Sequence, residues 1–122
     1  MKQAFVIAFA LIGFSLVSLG QVKKKGVQTV TIETPSVQCE SCKNRIERYM
    51  IREEGVQKVT VDYKKKKTKV TYVAERTNIE NIKTAIANLG YDADDVTANE
   101  ESYKKLPDCC KKPEDGGGMK DQ

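Results

Sequence analysis

The chain has 122 residues, 31% of them charged, with a net charge of +4 and no histidine. Its length suffices for one small domain with a modest core, and the mild charge gives no footing for a nucleic-acid partner. Lack of histidine excludes Cys-His and Ser-His catalysis and any imidazole metal ligand, so a metal site must be built from sulfur, oxygen or backbone groups.

Residues 1–20 form a unit of their own. Lys2 is its single charge, an apolar run follows from Ala4 to Leu19, and small Ser18 and Gly20 precede Gln21. This is the pattern of a cleaved secretory signal peptide. A membrane anchor is the rival, but the run is short for a bilayer span and is interrupted by Gly13, Ser15 and Ser18. The expected location is therefore the periplasm or cell envelope. Residues 21–27 are a basic leader; its lysines, and those from Lys64 to Lys67, read as solvated surface.

From Thr29 to Glu33 polar and apolar residues alternate, which predicts a strand with Val30 and Ile32 facing the core. Pro35 and Ser36 end it. From Cys42 the spacing turns helical: Cys42, Ile46, Tyr49 and Met50 fall on one face, while Lys43, Arg45, Glu47 and Arg48 face water. Gly55 suits the C-terminal cap of that helix. Val56–Val61 and Thr68–Val73 predict two more strands joined by a lysine-rich turn. Thr77 and Glu80 offer a capping box for a second amphipathic helix through Ile79, Ile82, Ile86 and Leu89, closed by Gly90. A weak fourth strand is expected from about Asp92 to Thr97. The order strand, helix, strand, strand, helix, strand predicts an α+β, ferredoxin-like βαββαβ sandwich, a four-stranded antiparallel sheet with two helices on one face. The domain spans residues 28–98; beyond it, residues 99–122 are polar and glycine-containing, the composition of a flexible tail with two further cysteines.

Cys39 and Cys42 stand where the first strand gives way to the first helix. A helix start exposes unpaired amides and a partial positive charge, which favour thiolate, the form that binds metal and attacks disulfides. Two thiolates from one loop make a soft, low-coordination site, suited to copper(I) and mercury(II) and less strongly to zinc(II) or cadmium(II). Zinc normally takes four ligands, and this loop supplies two. Glu40 could add an oxygen, although a solvated carboxylate is its ordinary role.

With this element order, the Cys-x-x-Cys loop resembles that of the heavy-metal-associated domain family, which includes periplasmic mercury-binding proteins, copper chaperones and modules of metal-exporting ATPases. The resemblance covers roughly residues 28–97 and rests also on Gly55-Val56 and Leu89-Gly90-Tyr91. It implies that Cys39 and Cys42 are the metal ligands and that Tyr91 lies near the metal loop. Val37, Gln38 and Ser36 stand where members often carry methionine, threonine and glycine. A monomeric carrier or scavenger is implied, with copper(I) as its first cargo. Its partner would be a metal-transporting membrane ATPase or another metal-accepting protein, and it would not be an enzyme.

Cys109 and Cys110 lie beyond the resemblance. Three arrangements are open: the tail folds back and its thiols complete the metal site, with Tyr103 and Leu106 pinning it; the tail cysteines form a disulfide with each other or with Cys39 and Cys42; or they bind a second soft ion independently. A bridge between neighbouring cysteines is disfavoured by backbone strain. Two other functions compete with metal carriage. A thioredoxin-type thiol-disulfide oxidoreductase also uses Cys-x-x-Cys at a helix start, but there is no tryptophan, and Pro35, Pro107 and Pro113 leave no proline ahead of a late core strand. A secreted interaction domain stapled by disulfides is the other.

Overall fold

Alternation of β-branched and polar residues builds three strands, β1 (Val27–Glu33), β2 (Val56–Asp62) and β3 (Lys67–Val73), in the computed structural model, which describes residues 26–117. The expected signal peptide, and the leader up to residue 25, lie outside the described residues. The spatial order is β1-β3-β2 and both pairings are antiparallel, with Val70 of central β3 opposite Val30 on one side and Val59 on the other. The two-residue period sends Ile32, Val61, Thr68, Val70 and Tyr72 to a buried face. Thr29, Lys58, Thr60 and Lys69 are exposed on the opposite face.

Helix α1 (Glu40–Met50) buries Cys42, Ile46 and Met50, one residue per turn, and α2 (Ile79–Asn88) buries Ile82, Ile86 and Ala87. Cys42, Ile46, Met50, Ile82 and Ile86 join Ile32, Val61, Val70 and Tyr72 in one core, so both helices cover the same face of the sheet. Several residues of α1 depart from the expected faces, Lys43 and Glu47 among them, which are half-buried as an ion pair. Tyr49 is 40% exposed, with the guanidinium groups of Arg45 and Arg48 over its ring at 5.3 and 5.6 Å. Arg45 is half-buried rather than solvated.

Helix ends also differ from expectation. Helix α1 stops at Met50, and a turn intervenes before Gly55, which enters β2 with φ +82°. A Cβ at Gly55 would lie 2.8 Å from the Thr77 methyl. Thr77 does not cap α2; Asn78 does, its side chain accepting from the Asn81 amide at 2.8 Å. Asn at this position needs no help from Glu80, whose side chain is 76% exposed.

A fourth strand is absent among the described residues, where the sheet has three strands. Asp94 explains this. It takes φ +51° and uses both its amide and its carboxylate on the last residue of β1, donating to the Glu33 carbonyl at 2.8 Å and accepting from the Glu33 amide at 2.7 Å. The chain therefore reverses at Asp94–Asp95, between the two residues of the single bridge Ala93–Val96. Beyond it, the polar segment carries helix α3 (Glu100–Lys104), capped by Asn99, and two 3-10 turns, Asp108–Cys110 and Pro113–Asp115. Leu106 from this segment is 3% exposed and belongs to the core.

Candidate metal centre

The loop between β1 and α1 is tied down from two sides. Thr34 is buried; its hydroxyl pairs with that of Thr68 at 2.9 Å and its amide donates to the Lys66 carbonyl at 2.9 Å. The Lys66 ammonium donates to the Val37 carbonyl at 2.9 Å, and the Ser36 hydroxyl accepts from the Asp92 amide at 3.0 Å. Val37 is fully buried. The turn after β2 and the segment after α2 together fix where the first cysteine emerges.

Cys39 occupies the N-cap of α1 with extended backbone, and its side chain makes no capping hydrogen bond, which leaves the sulfur free for other partners. Cys42 lies three residues on, and the two Sγ atoms are 3.3 Å apart. Cys42 is fully buried and Cys39 is 3% exposed. Glu40 faces solvent, and the sulfur cluster does not include it.

The tail folds back onto this loop. Cys110 is joined to Cys42 in a disulfide with Cα atoms 5.7 Å apart. Cys109 Sγ lies 3.2 Å from Cys39 Sγ, and Cys39 Sγ is 3.9 Å from Cys110 Sγ. The sulfurs of Cys39, Cys42 and Cys110 all fall within 4.8 Å of one another. Cys42 is thus bonded to Cys110 and Cys39 lies near both tail cysteines, in place of a separate tail pair or a bridge between Cys109 and Cys110.

Contacts without sulfur hold the tail there. The Gln38 side-chain amide donates to the Lys111 carbonyl, and the Lys112 ammonium pairs with the Asp92 carboxylate at 3.1 Å. The Tyr103 hydroxyl accepts from the Lys112 amide at 2.7 Å and donates to Asp115 at 2.5 Å. Tyr103 and Leu106 therefore pin the segment, as the fold-back arrangement requires. Asp92 and Lys112 are tail contacts that the sequence reading did not single out, and no local pattern marks their pairing.

Tyr91 is fully buried, and its hydroxyl has no hydrogen-bond partner among the described residues. Burial pushes its phenol far above the ordinary value; Arg45 opposes this, while Cys39 and Cys109 add to it, so the ring belongs to the electrostatic surroundings of the sulfurs. Arg45 Nε is likewise buried without a partner. The Cys109 thiol is pushed up, first by burial and next by its hydrogen bond with Cys39. A cluster of soft donors of this kind, with no histidine and no carboxylate within it, can hold a thiophilic ion or, when oxidised, a disulfide.

Residues 31–92 match the heavy-metal-associated domain family, and the chain belongs to it. A copper-exporting P-type ATPase of Staphylococcus aureus (strain Newman) is 37% identical over 67 residues, 55% of this chain. That stretch is 8% of the ATPase, so the chain spans a small fraction of the curated relatives it matches. The crystal structure of oxidized MerP from Ralstonia metallidurans CH34 is 29% identical with a TM-score of 0.53, covering 56% of this chain and 94% of that one. The mercury-bound form of MerP, described as the periplasmic protein of the bacterial mercury detoxification system, is also 29% identical, with a TM-score of 0.50 over 57% of this chain and 96% of that one. The family is one of binding domains, and the chain is not an enzyme; its membership displaces the thioredoxin-type alternative. The matched residues end at 92, so α3 and the tail cysteines lie outside them.

Proposed function

We propose that this protein is an exported soft-metal-ion binding protein, a metallochaperone or scavenger, which takes copper(I) or a similar thiophilic ion on Cys39 and Cys42 and passes it on by ligand exchange. The observation that carries this reading is the approach of three sulfurs within 4.8 Å at the start of α1. Copper(I) is the first choice on softness, and mercury(II), zinc(II) and cadmium(II) are the other candidates. Copper export by the ATPase relative and mercury binding by MerP support the class of ion.

A metal-transporting membrane ATPase or another metal-accepting protein is the partner, entering with its own cysteines. Periplasm or cell envelope is the location, supported by the apolar segment 1–20 and by the description of MerP as periplasmic. Native mass spectrometry of the reduced chain after copper(I) loading tests the function: one ion per chain is expected, and none in Cys39→Ala/Cys42→Ala. The Cys42–Cys110 disulfide favours a second reading, a domain stapled by its cysteines. Absence of any metal from the fully reduced protein would move the account to it.

A further inference from the structure

The tail also has contacts to the domain that contain no sulfur and so do not depend on the disulfide. Leu106 is 3% exposed and lies against Gly90, Lys112 pairs with Asp92, and Gln38 holds the Lys111 carbonyl. Tethering of this kind raises the local concentration of the tail thiols far above that of any free ligand. A loop with two thiolates is open, with positions left for a partner. With Cys110 it has three sulfurs, and Cys109 stands beside Cys39 as a fourth.

The cluster brings the sulfurs within reach of one ion once the bonded pair Cys42–Cys110 is reduced and the others spread by about half an ångström. Two sulfurs each about 2.3 Å from a zinc-sized ion are about 3.8 Å apart at a tetrahedral angle. The separations of Cys39 Sγ from Cys109, Cys42 and Cys110 are 3.2, 3.3 and 3.9 Å. Three or four thiolates around a divalent ion leave net negative charge, and buried thiolates need donors. Tyr91 and Arg45 each bury a polar atom with no hydrogen-bond partner among the described residues, and Tyr91 lies within the electrostatic reach of Cys39, Cys109 and Arg45.

We propose that the docked tail closes the loop into a site of three or four sulfurs, which takes a soft divalent ion of the cadmium(II) and zinc(II) class and retains it until the tail lifts away. This rests on the reading of Cys39 and Cys42 as the metal loop. Loading first opens the Cys42–Cys110 disulfide. A dithiol reductant gives up two electrons and two protons and becomes a disulfide, while the two cysteine sulfurs become thiols. Those thiols then release their protons as they bind the ion.

X-ray absorption on the reduced full chain carrying one equivalent of cadmium(II) counts the metal–sulfur bonds. Three or four are expected in the wild type and two in Cys109→Ala/Cys110→Ala; two in both would overturn the proposal. Leu106→Ala keeps every thiol and loosens the dock, so it guards against a folding defect in the cysteine variant. Release of cadmium(II) to a small chelator is expected to be at least about tenfold faster in Leu106→Ala than in wild type, and equal rates would count against retention by the tail. Copper(I) titration of wild type and Cys39→Ala/Cys42→Ala separates the two readings. Two-sulfur cadmium with loop-dependent copper(I) binding overturns the tail proposal alone. Loss of loop-dependent binding for both ions overturns the metal loop, and with it the tail site.

Discussion

Leu106 closes over Gly90: a methyl group on residue 90 would sit 3.1 Å from Leu106 Cγ and 3.1 Å from the Ser102 carbonyl oxygen. Gly90 also holds φ +108°, a conformation that side-chain-bearing residues rarely adopt. Gly90→Ala is therefore expected to lower stability by about 1–3 kcal/mol and to displace the tail. Urea unfolding, together with alkylation of Cys109 in the folded protein, measures the two effects; unchanged values for both would contradict the contact.

Asn78, and not Thr77, caps α2. Asn78→Ala is expected to cost about 0.5–2 kcal/mol. Thr77→Ala removes a methyl that packs against Gly55 and leaves the cap in place, so its cost should be smaller. Thermal denaturation of the two variants checks the order.

Much of this fold was legible because its signals are local. The alternation in β1 and β3 and the helical spacing of Cys42, Ile46 and Met50 depend only on near neighbours in sequence, and the expected elements form there. The missing fourth strand depends on Asp94, whose amide and carboxylate are spent on Glu33 far away in sequence. Tyr49 fits the apolar period but sits at the edge of the buried stripe, where two arginines cover it instead of the core. The placement of Cys39 and Cys42 at a helix start was legible from the sequence. That Cys109 and Cys110 meet them was only one of three open arrangements, since the tail is held by Gln38, Asp92 and Gly90, distant residues that no local pattern connects to it.

The buried Tyr91 hydroxyl has no hydrogen-bond partner among the described residues. An unpaired buried polar group costs about 1–3 kcal/mol, so Tyr91→Phe is expected to be neutral or stabilising by up to about that amount. Chemical denaturation of the metal-free protein gives the sign. A clear loss of stability would mean that the hydroxyl is hydrogen-bonded in solution.

Cys42 and Cys110 are 68 residues apart in sequence, and a disulfide closing so long a loop restricts the unfolded chain. Reduction is expected to lower the stability of the metal-free protein by about 2–4 kcal/mol. Peptide mapping without reductant should recover the Cys42–Cys110 link, with Cys109 alkylated ahead of the more buried Cys39. A Cys39–Cys42 link in its place would contradict the pairing across loop and tail.

The central claim is that Cys39 and Cys42 form the core of a soft-metal site. Copper(I) competition titration of the reduced chain, beside Cys39→Ala/Cys42→Ala and Cys109→Ala/Cys110→Ala, tests it most directly. Tight binding of one ion is expected in the wild type and its loss in the loop variant, with weaker binding in the tail variant. Equal affinity in the wild type and the loop variant would contradict it.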